Sequence, residues 1–434
     1  MPGTLPAAYG SSRFEPLGTE AILYRFKGMP DGQNPYAGLL AGKNSQFFGT
    51  TNGGGTVGPS GFDDGTVFEV SSKGKERVLY SFQGGTDGAG NEAGLIAGKN
   101  GVLYGATQAG GGGTDCGMTY GCGTVYELAP KGSGYAEKVL HAFAGGRDGA
   151  VPLGDLLLGA NGVLYGTTTG GGGSKACTVP SGLSGCGTVF SLTPSGSKWT
   201  EKILHAFKGD KDGSSPRDSL IAGSSGTLYG TTEFGGGTSG CPRSPYSSTT
   251  CGTVFSLTLA GKETILYRFK GGTDGDDPRA ALLAGKNGTF FGLTLYGGSS
   301  SICGANGCGT AYELTAKGKT YTEKILYTFG GSSQDGARPL DPDGLAADGS
   351  GNLYGSTSQS ISSTGAGTIF ELAPSGNGYK ETVLYAFTLG TSDGEEPFGS
   401  VVISKGDIYG TTYVGGGNCG TSSESCGTVY KVTP

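Results

Sequence analysis

Long apolar runs are missing from this chain, charge is sparse, and histidine occurs only twice in 434 residues. Without about eighteen consecutive apolar residues, no helix spans a bilayer. Charged residues make up 15% of the chain, the net charge is −6, and no basic cluster stands out. A polyanion finds no electrostatic footprint here, so nucleic acid is excluded as a partner. No nucleophile motif, phosphate loop or metal-ligand cluster is legible either, and neither a metal nor a cofactor is expected from such motifs. The opening MPGTLPAAYGSS has no basic n-region and no apolar h-region. Either a secretory leader has been removed or the protein is not exported.

Glycine, by contrast, is abundant, with 91 residues at fixed positions of a repeat. Regular placement marks turns and bulges rather than disorder. Each unit reads roughly G-L-x-A-G, L-Y-G-T-T, G-T-V-F-x-L, x-L-Y-x-F and G-x-x-D-G-x-x-P. The L-Y-G-T-T element recurs at 47–51, 103–107, 164–168, 228–232, 290–294, 353–357 and 408–412. A period near sixty residues with four short strand-like runs per unit points to a propeller, not to independent domains.

In the second unit the four strands are expected at 94–98, 102–107, 123–128 and 138–143. The last two carry apolar residues on both faces, as strands sandwiched between neighbouring blades require. The chain starts on a fourth-strand sequence at 22–26 (ILYRF) and ends on a third-strand sequence at 427–432 (GTVYKV). Six complete units plus this split one predict an all-β, seven-bladed β-propeller with four-stranded blades. The N-terminal strand would pair in the last blade and close the ring. Residues 1–19 would be an extension and 20–434 one domain, expected to be a monomer.

Ten cysteines occur as pairs, each within one loop of the repeat: Cys116/Cys122, Cys177/Cys186, Cys241/Cys251, Cys303/Cys308 and Cys419/Cys426. Cysteines gained or lost in pairs predict local disulfides. Metal binding is disfavoured, because the spacings vary and no histidine lies nearby. Five disulfides imply an oxidising compartment and a secreted or cell-surface protein.

Residues 344–357 (GLAADGSGNLYGST) resemble a blade start of NHL-type propellers. The whole unit, with its Y-G-T-T and G-T-V-F signatures, resembles the GloVer tandem repeat of secreted bacterial proteins, over about residues 20–434. That resemblance implies an exported bacterial propeller and leaves the activity open.

Loops between the second and third strands, and those carrying D-G-x-x-P, fall on one face of such a ring. Loops on the other face are short, as at 99–101 and 160–162. The long, cross-linked face is where a binding site would be built. Asp31, Asp87, Asp148, Asp212, Asp274, Asp335 and Asp393 recur once per blade before Gly. They would suit a structural calcium, but sevenfold repetition favours Asp capping its own turn. His141 and His205 occupy a slot held elsewhere by Tyr24, Tyr80, Tyr267, Tyr327 and Tyr385, and so read as structural.

Positions that break the sevenfold pattern are more informative. Just before the innermost strands, the units offer Tyr36, Glu92, Asp155, Arg217 with Asp218, Arg279, Asp341 with Asp343, and Phe398; Asp276 and Asp277 lie close by. Arginines interleaved with carboxylates at a concave mouth suit a sugar acid, or else pair as rim salt bridges. Phe234, Tyr296 and Tyr413 stand at the roots of the long loops and Tyr246 within one, placed either to stack on sugar rings or to pack beneath their loops.

Two functions follow. The first is a module that binds extracellular polysaccharide or another glycan on the loop-rich face. The second is a carbohydrate-active enzyme. A glycoside hydrolase would draw a carboxylate pair from Asp218, Asp343, Asp341, Asp155 and Glu92. A polysaccharide lyase would use Arg217 or Arg279 with a tyrosine base. A purely structural surface role suits uniform repeats, but the uneven mouth argues against it.

Overall fold

The computed structural model describes residues 18–434 apart from 59–63, 178–182, 224–225, 238–250, 319, 333–334, 341–343, 362–364, 391–392, 418 and 420–424. Seven four-stranded antiparallel sheets account for most of the strand structure. In the second blade the strands run Ile96–Ala97, Leu103–Thr107, Thr124–Lys131 and Gly134–Ala142, in that spatial order. The expected inner strand shrinks to two residues, and the outer hairpin lengthens towards its turn, the third strand running on to Lys131 and the fourth starting at Gly134. Both departures follow from radial geometry, since inner strands crowd an axis while outer ones have room.

The seventh blade draws on both ends of the described chain. Val402–Ser404, Asp407–Thr412 and Thr428–Thr433 form three of its strands. The fourth is Thr19–Arg25, paired antiparallel with Thr428–Thr433. Each blade buries a separate core against the next, including one between the seventh and first that contains Phe26, Phe47, Phe68, Tyr409 and Val429. The same edge-to-face contact recurs in all seven cores. The phenylalanine ending each x-L-Y-x-F meets the aromatic of the next blade's G-T-V-F, from Phe26–Phe68 at 5.0 Å to Phe207–Phe255 at 5.3 Å. Such geometry adds about 0.5–1.5 kcal/mol per pair beyond burial.

Two details explain the repeat's spelling. The fourth strand bulges in every blade; in the second, His141 faces Val125 and Val139 faces Tyr126, leaving Leu140 as the extra residue. That bulge lets x-L-Y-x-F bury its leucine and still send its Tyr or His the other way. The last threonine of L-Y-G-T-T shares a buried hydrogen bond with the threonine of G-T-V-F, as in Thr168–Thr188 at 2.8 Å, and also donates to a loop carbonyl.

The D-G aspartates act as turn caps. Asp31 accepts from the backbone N–H groups of Lys27 and Gly32 and from the Tyr24 hydroxyl. His141 and His205 stand in the tyrosine slot, 3.2 and 3.4 Å from Asp148 and Asp212. Disulfides join Cys116–Cys122, Cys177–Cys186, Cys303–Cys308 and Cys419–Cys426. Cys251 is also disulfide-bonded, while its expected partner Cys241 lies outside the described residues. Among the described residues, no helix is long and apolar enough to cross a membrane.

Candidate functional site at the channel mouth

The two loop families of the long-loop face are stitched together in every blade. Gly32–Gln33 pairs with Gly53–Gly54, Gly336–Ala337 with Gln359–Ser360, and Gly394–Glu395 with Val414–Gly415. Single bridges do the same elsewhere, such as Ser214 with Phe234 and Asp276 with Tyr296. At its glycine the ribbon leaves no room for a side chain, since a Cβ on Gly110 would sit 2.5 Å from the Cα of Gly88.

This ribbon holds the residue before the D-G-x-x-P proline, or before Asn91 where the second blade lacks that proline, in a left-handed conformation in all seven blades. The residues are Asn34, Gly90, Val151, Ser215, Asp277, Arg338 and Glu396, with φ between 55° and 65°. Such a conformation is rare for non-glycine residues, and especially for β-branched Val151. Two backbone bonds enforce it. Each of these N–H groups donates to the carbonyl of the residue preceding the G-T or G-T-V element of the neighbouring blade, or its equivalent: Cys426, Asp64, Cys122, Cys186, Cys251, Cys308 and Ala366. Each carbonyl accepts from the residue just after T-T: Asn52, Gln108, Thr169, Glu233, Leu295, Ser358 and Tyr413. The backbone is thus sevenfold while the side chains it presents are not.

One arc of the mouth is charged. Arg217 donates to Glu92 Oε2 at 3.2 Å and to the Tyr36 hydroxyl at 3.3 Å, linking the fourth blade to the second and first. Glu92 also accepts from Asn52 and Gln108. Arg279 contacts Glu233 and bonds Asp277 Oδ1 at 3.0 Å through Nε. Ser215 donates to the other Glu233 oxygen. The two arginine side chains remain 22% and 20% exposed, so they line a surface and are not sealed in a core.

The other arc is aromatic. Tyr36, Phe398 and Tyr413 form a triangle with centroids 5.2, 5.3 and 6.0 Å apart. Beside it, a pocket of about 180 Å³ is lined by Leu295, Tyr296, Arg338, Ser358, Glu396 and Phe398, among others. The Arg338 guanidinium lies 5.8 Å from the Tyr296 ring centre, within cation–π range.

Tyr36, Glu92, Arg217, Arg279, Phe398, Tyr413 and Tyr296 therefore gather around the mouth. Others part from them. Asp218 is only 4% exposed and accepts from Thr231. Burial pushes its carboxyl up to about 8, against the pull of Arg217, so it lies beneath the mouth as an acid out of solvent's reach. Asp155 binds the Gly94 N–H and lines a channel pocket with Leu39, Leu95 and Leu345. Phe234 is only 8% exposed, too buried to serve as a stacking platform. Asp341, Asp343 and Tyr246 lie outside the described residues.

Sequence reading missed Glu233, Arg338 and Glu396. The signal was available as columns, because Glu233 shares the place after T-T with Tyr413, and Arg338 and Glu396 share the pre-proline place with Asp277.

The Gloeobacter/Verrucomicrobia repeat matches residues 12–181, 176–300 and 243–434, and the chain belongs to that family. No curated protein sequence matches it. Among solved structures, a fungal alcohol oxidase of the AA5 family in complex with copper is similar over 96% of this chain and 77% of its own, at 11% identity and a TM-score of 0.53. A putative 6-phosphogluconolactonase from Bacteroides fragilis matches 86% of this chain and 89% of its own, at 12% identity and a TM-score of 0.48. At such identities the likeness to the oxidase is one of fold alone.

Proposed function

We propose that this member of the repeat family is a secreted module that binds extracellular glycan at the channel mouth. The observation that carries the reading is the joining of an aromatic triangle to hydrogen-bonding arginine and carboxylate groups, on a face where the clamped backbone positions repeat and these side chains do not. Aromatic faces suit the apolar faces of sugar rings, and planar charged groups suit paired hydroxyls. Because Arg217 and Arg279 already sit against carboxylates, the mouth suits neutral sugar hydroxyls better than a polyanion. The disulfides support the extracellular assignment.

Catalysis has weaker support. Glu92, Glu233 and Asp277 are each engaged by an arginine, and Asp218 is buried, so these four do not form a free pair of the kind glycoside hydrolysis uses. The test is to incubate the protein with neutral and acidic polysaccharides, then assay retention on the polymer and, by mass spectrometry, new products. Retention without cleavage is expected. Arg217→Ala, Arg279→Ala and Tyr296→Ala should each weaken it roughly 10-fold or more, as loss of a charge-assisted or stacking contact does. Failure of every polysaccharide to retain the protein would sink the reading, and oligosaccharide products would replace it with the enzyme.

A further inference from the structure

Away from the mouth, the D-G turn of the fourth blade departs from its five tyrosine-bearing counterparts. In those, the phenol donates its proton to the turn aspartate, as Tyr24 does to Asp31 and Tyr80 to Asp87, each at 2.8 Å. His205 replaces that phenol with an imidazole, which in its neutral form offers a lone pair. Its Nε2 lies 3.4 Å from Asp212 Oδ2, and the side chains are 14% and 20% exposed. Glu263, from the next outer strand, completes the group. The three ligand atoms lie within 4.8 Å of one another, the one such His/Cys/Asp/Glu group among the described residues.

Neither His205 Nε2 nor Glu263 Oε1 has a hydrogen-bond partner, and both are buried from solvent. The glutamate's counterparts Glu20, Glu76, Glu137, Glu201, Glu323 and Glu381 share that state, so what singles out this blade is an unpaired imidazole nitrogen beside two carboxylates. An unpaired buried nitrogen is costly and calls for a partner. The spacing suits one. With bonds of about 2.0–2.1 Å, the edge of a tetrahedron is roughly 3.3–3.4 Å, the separation of His205 and Asp212. At the other histidine the arrangement differs, because His141 Nε2 hydrogen-bonds Asp148 at 3.2 Å.

We propose that His205, Asp212 and Glu263 form a divalent transition-metal site of zinc type between the outer edges of the third and fourth blades, with one position left for water. One nitrogen and two carboxylate oxygens suit zinc among common divalent ions, whereas calcium would ask for six or more oxygens. Holding residues from two blades, the ion would brace the ring from outside.

The repeat supplies its own control, since His205→Tyr restores the residue that five other blades carry and should fold. Zinc alone is titrated calorimetrically into untagged, chelator-stripped full-length protein, with the thermal midpoint measured in parallel. One equivalent of zinc should bind and raise the midpoint. His205→Tyr and Glu263→Gln should each weaken binding at least 100-fold, while His141→Tyr leaves it intact. Absence of zinc binding by the unaltered chain, or equal binding by folded His205→Tyr, overturns the site.

Discussion

At the scale of single residues, one glycine and one ring define the inside of each blade. In the third, a Cβ on Gly166 would lie 2.6 Å from Phe190 Cζ, so the ring rests directly on the backbone of the neighbouring strand. Gly166→Ala should destabilise the protein by about 1–3 kcal/mol, as overpacking does. Chemical denaturation would measure it, and a second change, Phe190→Leu, should recover part of the loss by vacating the space. If the pair proves simply additive, the contact is not the cause. The glycine of L-Y-G-T-T was visible as a repeated letter, but its reason was not. Only the register that sets Gly166 opposite Phe190 supplies it.

At the scale of the strand, the outer edge of every blade carries a glutamate facing the turn aspartate of the blade before. Burial first, and then the neighbouring aspartate, pushes Glu20, Glu76, Glu201 and Glu323 up to about 7. Glu137, Glu263 and Glu381 rise to about 8. A carboxyl whose folded pKa lies above its unfolded value stabilises the fold most when protonated. That contribution is full below about pH 4.5 and is lost as pH rises through 7–8. The thermal midpoint in chelator should therefore be higher at pH 5 than at pH 8. Glu381→Gln should flatten the slope, and a midpoint that rises with pH over this range would contradict the account. Asp148 and Asp212 act in the opposite sense, held low despite burial by their histidines, but only towards stronger acid. Strand existence was legible from periodicity, whereas the bulge at Leu140 was not. An inserted residue in x-L-Y-x-F looks in sequence like a strand apolar on both faces, and only pairing with Val125 and Tyr126 distinguishes the two.

At the scale of the whole molecule, seven cores in a circuit couple every blade to two others. Unfolding should be one calorimetric transition. The bridges close short loops, with sequence separations of 5 to 9, and each is worth about 2 kcal/mol by chain entropy. Reduction should lower the midpoint by several degrees and keep the transition single. Cysteine carbonyls clamp five of the seven mouth positions, so reduction should also weaken glycan retention before it unfolds the ring. Blade count and the loop-rich face could be read from the chain because they follow from repetition. The mouth could be read only in part. Arg217 reaches Glu92 across 125 residues of sequence, and no local pattern records which blades face each other over an axis. The clamped pre-proline positions carry a further consequence. Each holds its shape through main-chain atoms whatever side chain it bears, from glycine to arginine, so the mouth is an alphabet mounted on a fixed frame. Duplicating a unit copies the frame, and later substitutions spell a new specificity without renegotiating the fold.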